Sequence, residues 1–283
     1  MHGLLAPALY ALFVWWFSTG IVLLLDNLPR RTFRWSMVAG TAAFALALHR
    51  LCASAADVST AGAYAAFTYA IIAWAWQEMS FFMGAVTGPR RVAADGWATT
   101  GQRFGQGVAA CLWHELAIAG TALAIVSLTW HAPNQVGTWT FLLLWLMRTS
   151  AKLNVFLGVL NLGEELIPDH LRYLLSFMAR RRMNALMPVS LCGGTIGAIF
   201  VGQKAALAAT PTAAAGWTFL SVMFGLAVIE HGFLVLPLPF ARLWAWSLRF
   251  KPGRRHAARV LNEHGPADHA LGGTSHGLPA LLP

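Results

Sequence analysis

The stretch Trp74–Arg91, WAWQEMSFFMGAVTGPRR, decides how the fold is interpreted. It is apolar enough for a membrane helix, yet it carries Glu78 near its centre and ends in Gly88-Pro89 followed by two arginines. A glutamate buried in apolar surroundings is costly unless it is paired, protonated or bound to a ligand. The sequence therefore predicts a partner for Glu78, and the other apolar stretches contain the candidates.

The composition of the whole chain indicates a polytopic membrane protein. Of the 283 residues, 57% are hydrophobic and only 11% are charged, whereas about a quarter of the residues are charged in an ordinary soluble domain. The net charge of +9 does not indicate nucleic-acid binding, because the basic residues are concentrated in alternate connections between apolar runs. The three cysteines lie in separate apolar stretches without a CxxC pair, so neither a disulfide nor a zinc framework is predicted.

Seven apolar runs are long enough to cross a bilayer as helices, since about 20 residues suffice. They cover residues 4–26, 35–54, 61–86, 104–130, 136–162, 187–209 and 214–237. Arginine and lysine cluster in the first, third and fifth connections and after the last run, while HAPNQVG and ATPTAAAG have none. By the positive-inside rule, this alternation predicts a periplasmic N-terminus and a cytoplasmic C-terminus. The predicted fold class is all-α: a polytopic membrane helical bundle of about seven transmembrane helices.

The bundle is predicted to occupy residues 1–250 as one unit. Within it, residues 163–187 combine a Pro168-Asp169 start, a leucine-rich series and a basic end, which predicts an amphipathic helix on the cytoplasmic face. Residues 240–250, with Trp244 and Trp246, suit the membrane interface. Residues 251–283 are rich in Gly, His, Arg and Ala, and a mobile cytoplasmic tail is predicted there.

Acidic side chains in three predicted spans fall within the cytoplasmic half of the bilayer. At 1.5 Å per residue, Glu78 lies roughly 15 Å from the cytoplasmic face, Glu115 roughly 18 Å and Glu230 roughly 10 Å. Further candidates lie near the face itself, namely Glu164, Glu165 and His170. One polar pocket can therefore contain groups from several spans.

Three interpretations of these polar groups remain open. The first is structural: Arg148 and Lys152 are four residues apart and share one helix face, so they need acidic partners, and Asn154 is a further hydrogen-bond donor. The second is a pigment site, in which His114 or His231, each next to a glutamate, is the axial ligand of a bound tetrapyrrole.

The third interpretation is a metal site, with iron as one candidate. Carboxylates and imidazoles at one end of a helical bundle can ligate such a metal. The candidate ligands are Glu78, Glu115, Glu164, Glu165, His170 and Glu230. The paired Glu-x-x-His pattern of di-iron bundles is absent from the sequence, as are the HxxxH clusters of membrane hydroxylases.

Four blocks of the sequence resemble a known family. They are WQEMSFFMGAVTGPRR, WHELAI, LWLMRTSAKLNVFLGVLNLGEELIPDHLRYLLSFMARRRMNALMP and IEHGFLVLPLP. In order and spacing they resemble the photosynthetic complex assembly protein 2 family, PuhE, which is encoded among the photosynthesis genes of purple bacteria and their relatives. RTSAKLN and NLGEELIPDHLRY are the most specific parts, and the resemblance covers residues 1–250.

The resemblance implies a multi-pass protein of the bacterial cytoplasmic (intracytoplasmic) membrane. It implies a role in assembling the reaction centre and light-harvesting complexes, or in supplying them with bacteriochlorophyll. Its partners would be lipid, reaction-centre or light-harvesting subunits, or pigment-synthesis proteins, and not nucleic acid. The alternative is a membrane metalloenzyme that uses a Glu/His site on a tetrapyrrole or carotenoid. The resemblance supplies no catalytic residue, so the enzymatic question stays open.

Overall fold

The computed structural model describes residues 2–236 and 238–248, which fold as helices and connecting turns with no β-strand among them. The seven long helices are α1 His2–Asp26, α2 Phe33–Ser54, α3 Thr60–Phe82, α4 Thr100–Leu128, α5 Val136–Leu157, α6 Leu186–Ala206 and α7 Pro211–Val235. Short 3₁₀ turns cover Arg30–Thr32, Glu164–Leu166, Asp169–Phe177 and Phe240–Trp244, and the last one leads into α8, Ala245–Leu248. The all-helical class is confirmed for this part of the chain.

Several helix starts are determined by local capping. The Ser59 hydroxyl accepts a hydrogen bond from the Gly62 N–H at the start of α3. At the start of α4, Thr99 and Gln102 form a reciprocal capping box. Helix α7 begins with Thr210 as the cap and a proline at its first position. These side chains satisfy N–H groups that the first helical turn leaves without a partner.

Five of the seven helices are long and apolar enough to cross a membrane. These five segments are Gly3–Asp26, Arg30–Ser54, Thr100–Leu128, Leu186–Ala206 and Pro211–Val235. The prediction of a multi-pass membrane protein is thus confirmed, with five candidate spans among the described residues. Helices α3 and α5 have 23 and 22 residues but fall outside this set. They carry the polar side chains Gln77, Glu78, Arg148 and Lys152.

Helix α3 lies at the centre, against α1, α2, α5 and α7. Several alanines of α3 are fully buried, among them Ala63 and Ala70, and their small side chains permit close packing. The Phe67 ring stacks on Phe219 of α7 with 4.5 Å between ring centroids. Helix α3, which carries Gln77 and Glu78, is therefore shielded by its neighbours.

Two helices end earlier than the hydropathy pattern predicts. Helix α3 ends at Phe82 and not near residue 86, because Gly84 adopts a φ of +76° and turns the chain onto α4. There the Thr87 carbonyl accepts a hydrogen bond of 2.9 Å from the His114 N–H. Helix α5 ends at Leu157 and not near residue 162, followed by Gly158 with a φ of +120°.

The predicted amphipathic helix within residues 163–187 is replaced by 3₁₀ turns. Gly163 has a φ of +63°, and Pro168 separates the two turns, so no continuous α-helix forms. The chain then returns beside α5, where the Val159 N–H donates to the Ala179 carbonyl at 3.1 Å. We call residues 163–178 the floor segment. The predicted tail, residues 251–283, lies outside the described residues.

Candidate functional site

A cavity of about 640 Å³ lies between α1, α3, α4, α5 and α7, and the floor segment closes one end of it. Its size falls within the range of ligand-binding sites, about 300–1,000 Å³. Most of its wall is aromatic or aliphatic, with Trp15, Trp74, Phe82, Phe156 and Trp244 among the lining side chains. Such a space suits a lipid-soluble molecule of substantial size.

Two ion pairs cross this cavity wall. Arg148 of α5 donates to Glu78 of α3 at 2.8 Å, and Lys152 of α5 donates to Glu115 of α4 at 2.5 Å. Because the two cations are separated by one helical turn, α5 presents both on one face. The structure thus places the acids of two helices on the basic face of a third.

Glu230 of α7 lines the same cavity, and its side chain is open to it. Trp15 of α1 lies within hydrogen-bonding reach of the Glu230 carboxylate. Among the described residues, no cation lies within 4.0 Å of Glu230 to form an ion pair. Glu230 therefore differs from Glu78 and Glu115, which both have such a partner.

His231 lies outside the cavity, in a buried hydrogen-bond network. Its Nδ1 lies 2.8 Å from the Ala227 carbonyl oxygen, and its Nε2 lies 2.9 Å from the Ser150 hydroxyl. The Asn154 amide donates to the Ser190 hydroxyl at 2.9 Å, and Ser150 lies 2.9 Å from the same hydroxyl. Both ring nitrogens of His231 are therefore engaged, Nδ1 within α7 and Nε2 with Ser150 of α5.

His114 is fully buried one layer behind the cavity wall. Its ring packs on Phe81, with 4.5 Å between centroids, and Phe81 itself lines the cavity. Within the described residues, neither ring nitrogen of His114 has a hydrogen-bond partner. The imidazole faces its neighbours through van der Waals contact alone.

The candidates near the floor segment do not line the cavity. Glu164 accepts a hydrogen bond of 2.6 Å from Arg180 at the exposed surface, and Glu165 is also exposed. His170 packs against Gly84, and burial, followed by the nearby Arg30, holds its pKa below the ordinary value. Across residues 2–236 and 238–248, no group of three or more His, Cys, Asp or Glu side chains is placed to hold a metal.

Sequence analysis did not single out as site residues Asp26, which lies close to the site, or Trp15 and Trp244, which line it. Asp26, at the end of α1, is only 6% exposed, and neither carboxylate oxygen has a partner among the described residues. It lies within electrostatic range of Glu78. The sequence did contain a signal for Asp26, because an acidic residue at the end of a long apolar run is a candidate for a buried polar group. Trp15 and Trp244 gave no such signal, because aromatic residues are common at membrane interfaces.

Comparison with known proteins places the chain in a family. The sequence model described as "Protein of unknown function (DUF3623)" matches residues 1–255. The chain belongs to the DUF3623 family. A Rhodobacter capsulatus protein, described as an uncharacterized 30.4 kDa protein in the puhA 5′ region, is 38% identical over 245 residues, covering 85% of this chain and 89% of that protein. No solved structure matches the chain. All helices that enclose the cavity fall within the DUF3623 match.

Proposed function

We propose that this DUF3623 protein is a membrane assembly factor for photosynthetic complexes and that it holds a tetrapyrrole pigment in its cavity. The observation that carries the proposal is the cavity of about 640 Å³, apolar over most of its wall and with charged groups at a few positions. Cavities of this kind bind lipid-soluble molecules and use the polar groups to orient them. Aromatic side chains such as Trp15, Trp74 and Phe82 offer flat surfaces to a macrocycle.

The photosynthetic context comes from sequence relationships. The Rhodobacter capsulatus relative is described as lying in the puhA 5′ region. The four sequence blocks resemble the PuhE family, which is encoded among photosynthesis genes. Together these support a role beside the reaction centre, the light-harvesting complexes or the supply of bacteriochlorophyll to them.

The proposal includes seven membrane crossings, with the N-terminus outside and the C-terminus in the cytoplasm. Helices α3 and α5 would cross the membrane surrounded by the five more apolar helices. This protection from lipid accounts for the polar side chains that α3 and α5 carry. Arg30 of the first connection lies near His170 of the floor segment, so the first and fifth connections share one end of the bundle. Both connections are basic, and basic connections remain on the cytoplasmic side.

The outer helices offer surface for a membrane partner. Helix α2 exposes Val38 and Leu46, and α6 exposes Ile196 and Phe200. In a bilayer such side chains face lipid or the helices of another subunit. A reaction-centre or light-harvesting subunit, or a pigment-synthesis protein, is the class of partner that this surface suits.

The test is deletion of the gene in its phototrophic host, followed by near-infrared absorbance of isolated membranes. We expect the reaction-centre and light-harvesting bands to fall and the wild-type gene to restore them. Ala75→Trp, which fills the cavity, should restore them poorly. Ala61→Trp is the matched control, because Ala61 is exposed on the same helix. Unchanged bands in the deletion strain would show that the proposed function is wrong.

A further inference from the structure

The formal charges of the side chains that line the cavity do not sum to zero. Three carboxylates, Glu78, Glu115 and Glu230, face two cations, Arg148 and Lys152, which leaves one formal negative charge. The two ion pairs account for Glu78 and Glu115. Glu230 is therefore the cavity-lining carboxylate that has no ion-pair partner within 4.0 Å in the described part of the protein. A carboxylate in apolar surroundings is costly unless it is paired, protonated or bound to a ligand, so Glu230 is the one placed to bind a ligand in the cavity.

The packing of α7 fixes the direction in which Glu230 points. Successive helical residues are rotated by about 100°. His231 faces α5, where Ser150 binds its Nε2, and Ala227 one turn earlier binds its Nδ1. This arrangement holds the helix so that Glu230 faces the cavity. The carboxylate is presented to the cavity by the fold itself and does not depend on a flexible loop.

The histidines are less suitable than Glu230 to ligate a molecule in the cavity. His231 already uses both ring nitrogens, and His114 lies behind Phe81. Neither histidine lines the cavity. Of the cavity-lining groups, a carboxylate oxygen is the strongest ligand for a hard cation such as magnesium.

We infer that Glu230 is the protein ligand of the central magnesium ion of a tetrapyrrole bound in the cavity. The inference rests on the proposed function and adds the residue that holds the pigment and the chemical feature it recognises. The four ring nitrogens of a magnesium tetrapyrrole leave a coordination position at which the ion, as a Lewis acid, can accept an electron pair from the Glu230 carboxylate. Trp15 and Trp244 lie beside this site as aromatic walls.

The experiment uses the full-length protein in detergent and two probes, bacteriochlorophyll a and its magnesium-free counterpart bacteriopheophytin a. Titrations followed by quenching of tryptophan fluorescence give the Kd of each, and the pigment absorption bands report the coordination of magnesium. We expect the wild type to bind the magnesium form about tenfold more tightly than the magnesium-free form. Glu230→Leu should abolish this preference while it leaves the Kd for bacteriopheophytin a unchanged.

Two further variants keep the test specific. Glu230→Gln retains the size of the side chain and should lose most of the preference, so loss cannot be ascribed to a cavity or to misfolding. Asp169→Asn removes an exposed carboxylate outside the cavity and should behave as the wild type. If the preference persists in Glu230→Leu, or disappears in His114→Leu instead, Glu230 is not the ligand, although the proposed function stands. If the wild type binds neither pigment, the pigment-holding role itself is wrong.

Discussion

Arg148 of α5 donates a 2.8 Å hydrogen bond to Oε2 of Glu78 on α3, across the cavity that both residues line. The other oxygen, Oε1 of Glu78, and Nε of Arg148 are buried without a hydrogen-bond partner among the described residues. The pair neutralises its charges while part of its hydrogen-bonding capacity stays unused. Residues 70 positions apart in the sequence are thereby joined in one site.

Removing one member of this pair should destabilise the protein more than removing both. Glu78→Gln leaves Arg148 without its counter-charge, and we expect a loss of about 1–3 kcal/mol, less than for a fully buried pair because 34% of the Arg148 side chain is accessible. Glu78→Gln with Arg148→Met should recover part of that loss. The measurement is thermal unfolding in detergent of the wild type, Glu78→Gln, Arg148→Met and the double variant, which together form a double-mutant cycle. Strictly additive effects would show that the two residues do not interact.

Gly20 permits the C-terminal turn to dock on α1. A Cβ at Gly20 would lie 2.1 Å from Cζ2 of Trp246, so Gly20→Ala should displace the turn that contains Trp244 and Trp246. Limited trypsin cleavage at the exposed Arg242 should then become faster. Gly3→Ala, on the same helix with open space around it, is the control and should cleave as the wild type.

A side chain at Gly84 should destabilise the protein, for two separate reasons. Its φ of +76° is unfavourable for other residues, and an added Cβ would lie 3.1 Å from Cδ2 of His170. We expect Gly84→Ala to cost about 1–2 kcal/mol and to loosen the floor segment. Hydrogen–deuterium exchange over residues 164–178 measures this. Gly96→Ala, in the same connection and without a nearby atom, should leave the exchange unchanged.

Docking of the floor segment should weaken in mild acid because of His170. Burial and the neighbouring Arg30 lower the pKa of His170 below 6.5, with Asp169 and the backbone near Phe82 acting in the opposite direction. An undocked His170 therefore takes up a proton at a higher pH than a docked one, and stability falls as the pH drops through 6.5. Above that pH His170 is neutral in both states and contributes no pH dependence.

The measurement is hydrogen–deuterium exchange of residues 164–178 at pH 7.5 and pH 5.5, corrected for the intrinsic effect of pH. We expect less protection at pH 5.5 in the wild type and a smaller difference in His170→Gln. An identical pH difference in the two proteins would assign the effect to another group.

The sequence predicted the helices well because each is a long apolar run between basic or turn-rich connections. The need of Arg148 and Lys152 for acidic partners also followed from their four-residue spacing. The sequence left open which acid meets which cation, because that depends on the rotation of each helix. The engagement of His231 with Ser150 depends on the same rotation.

The early end of α3 was not predictable from hydropathy. Residues 83–86 are as apolar as a helix interior, and the turn depends on Gly84 and on space at Gly88. A Cβ at Gly88 would lie 2.1 Å from the Ala109 carbonyl oxygen, so this loop packs directly on the backbone of α4. No local sequence pattern predicts such a contact between distant segments.

The floor segment is held mainly by apolar side chains. Its own side chains Ile167, Leu171 and Phe177 are buried, whereas the ion pair between Glu164 of the segment and Arg180 beyond it is exposed to solvent, where salt screens it. Apolar attraction weakens on cooling. The strength with which the floor segment is held against the helices should therefore depend more on temperature than on ionic strength, and it should decrease in the cold.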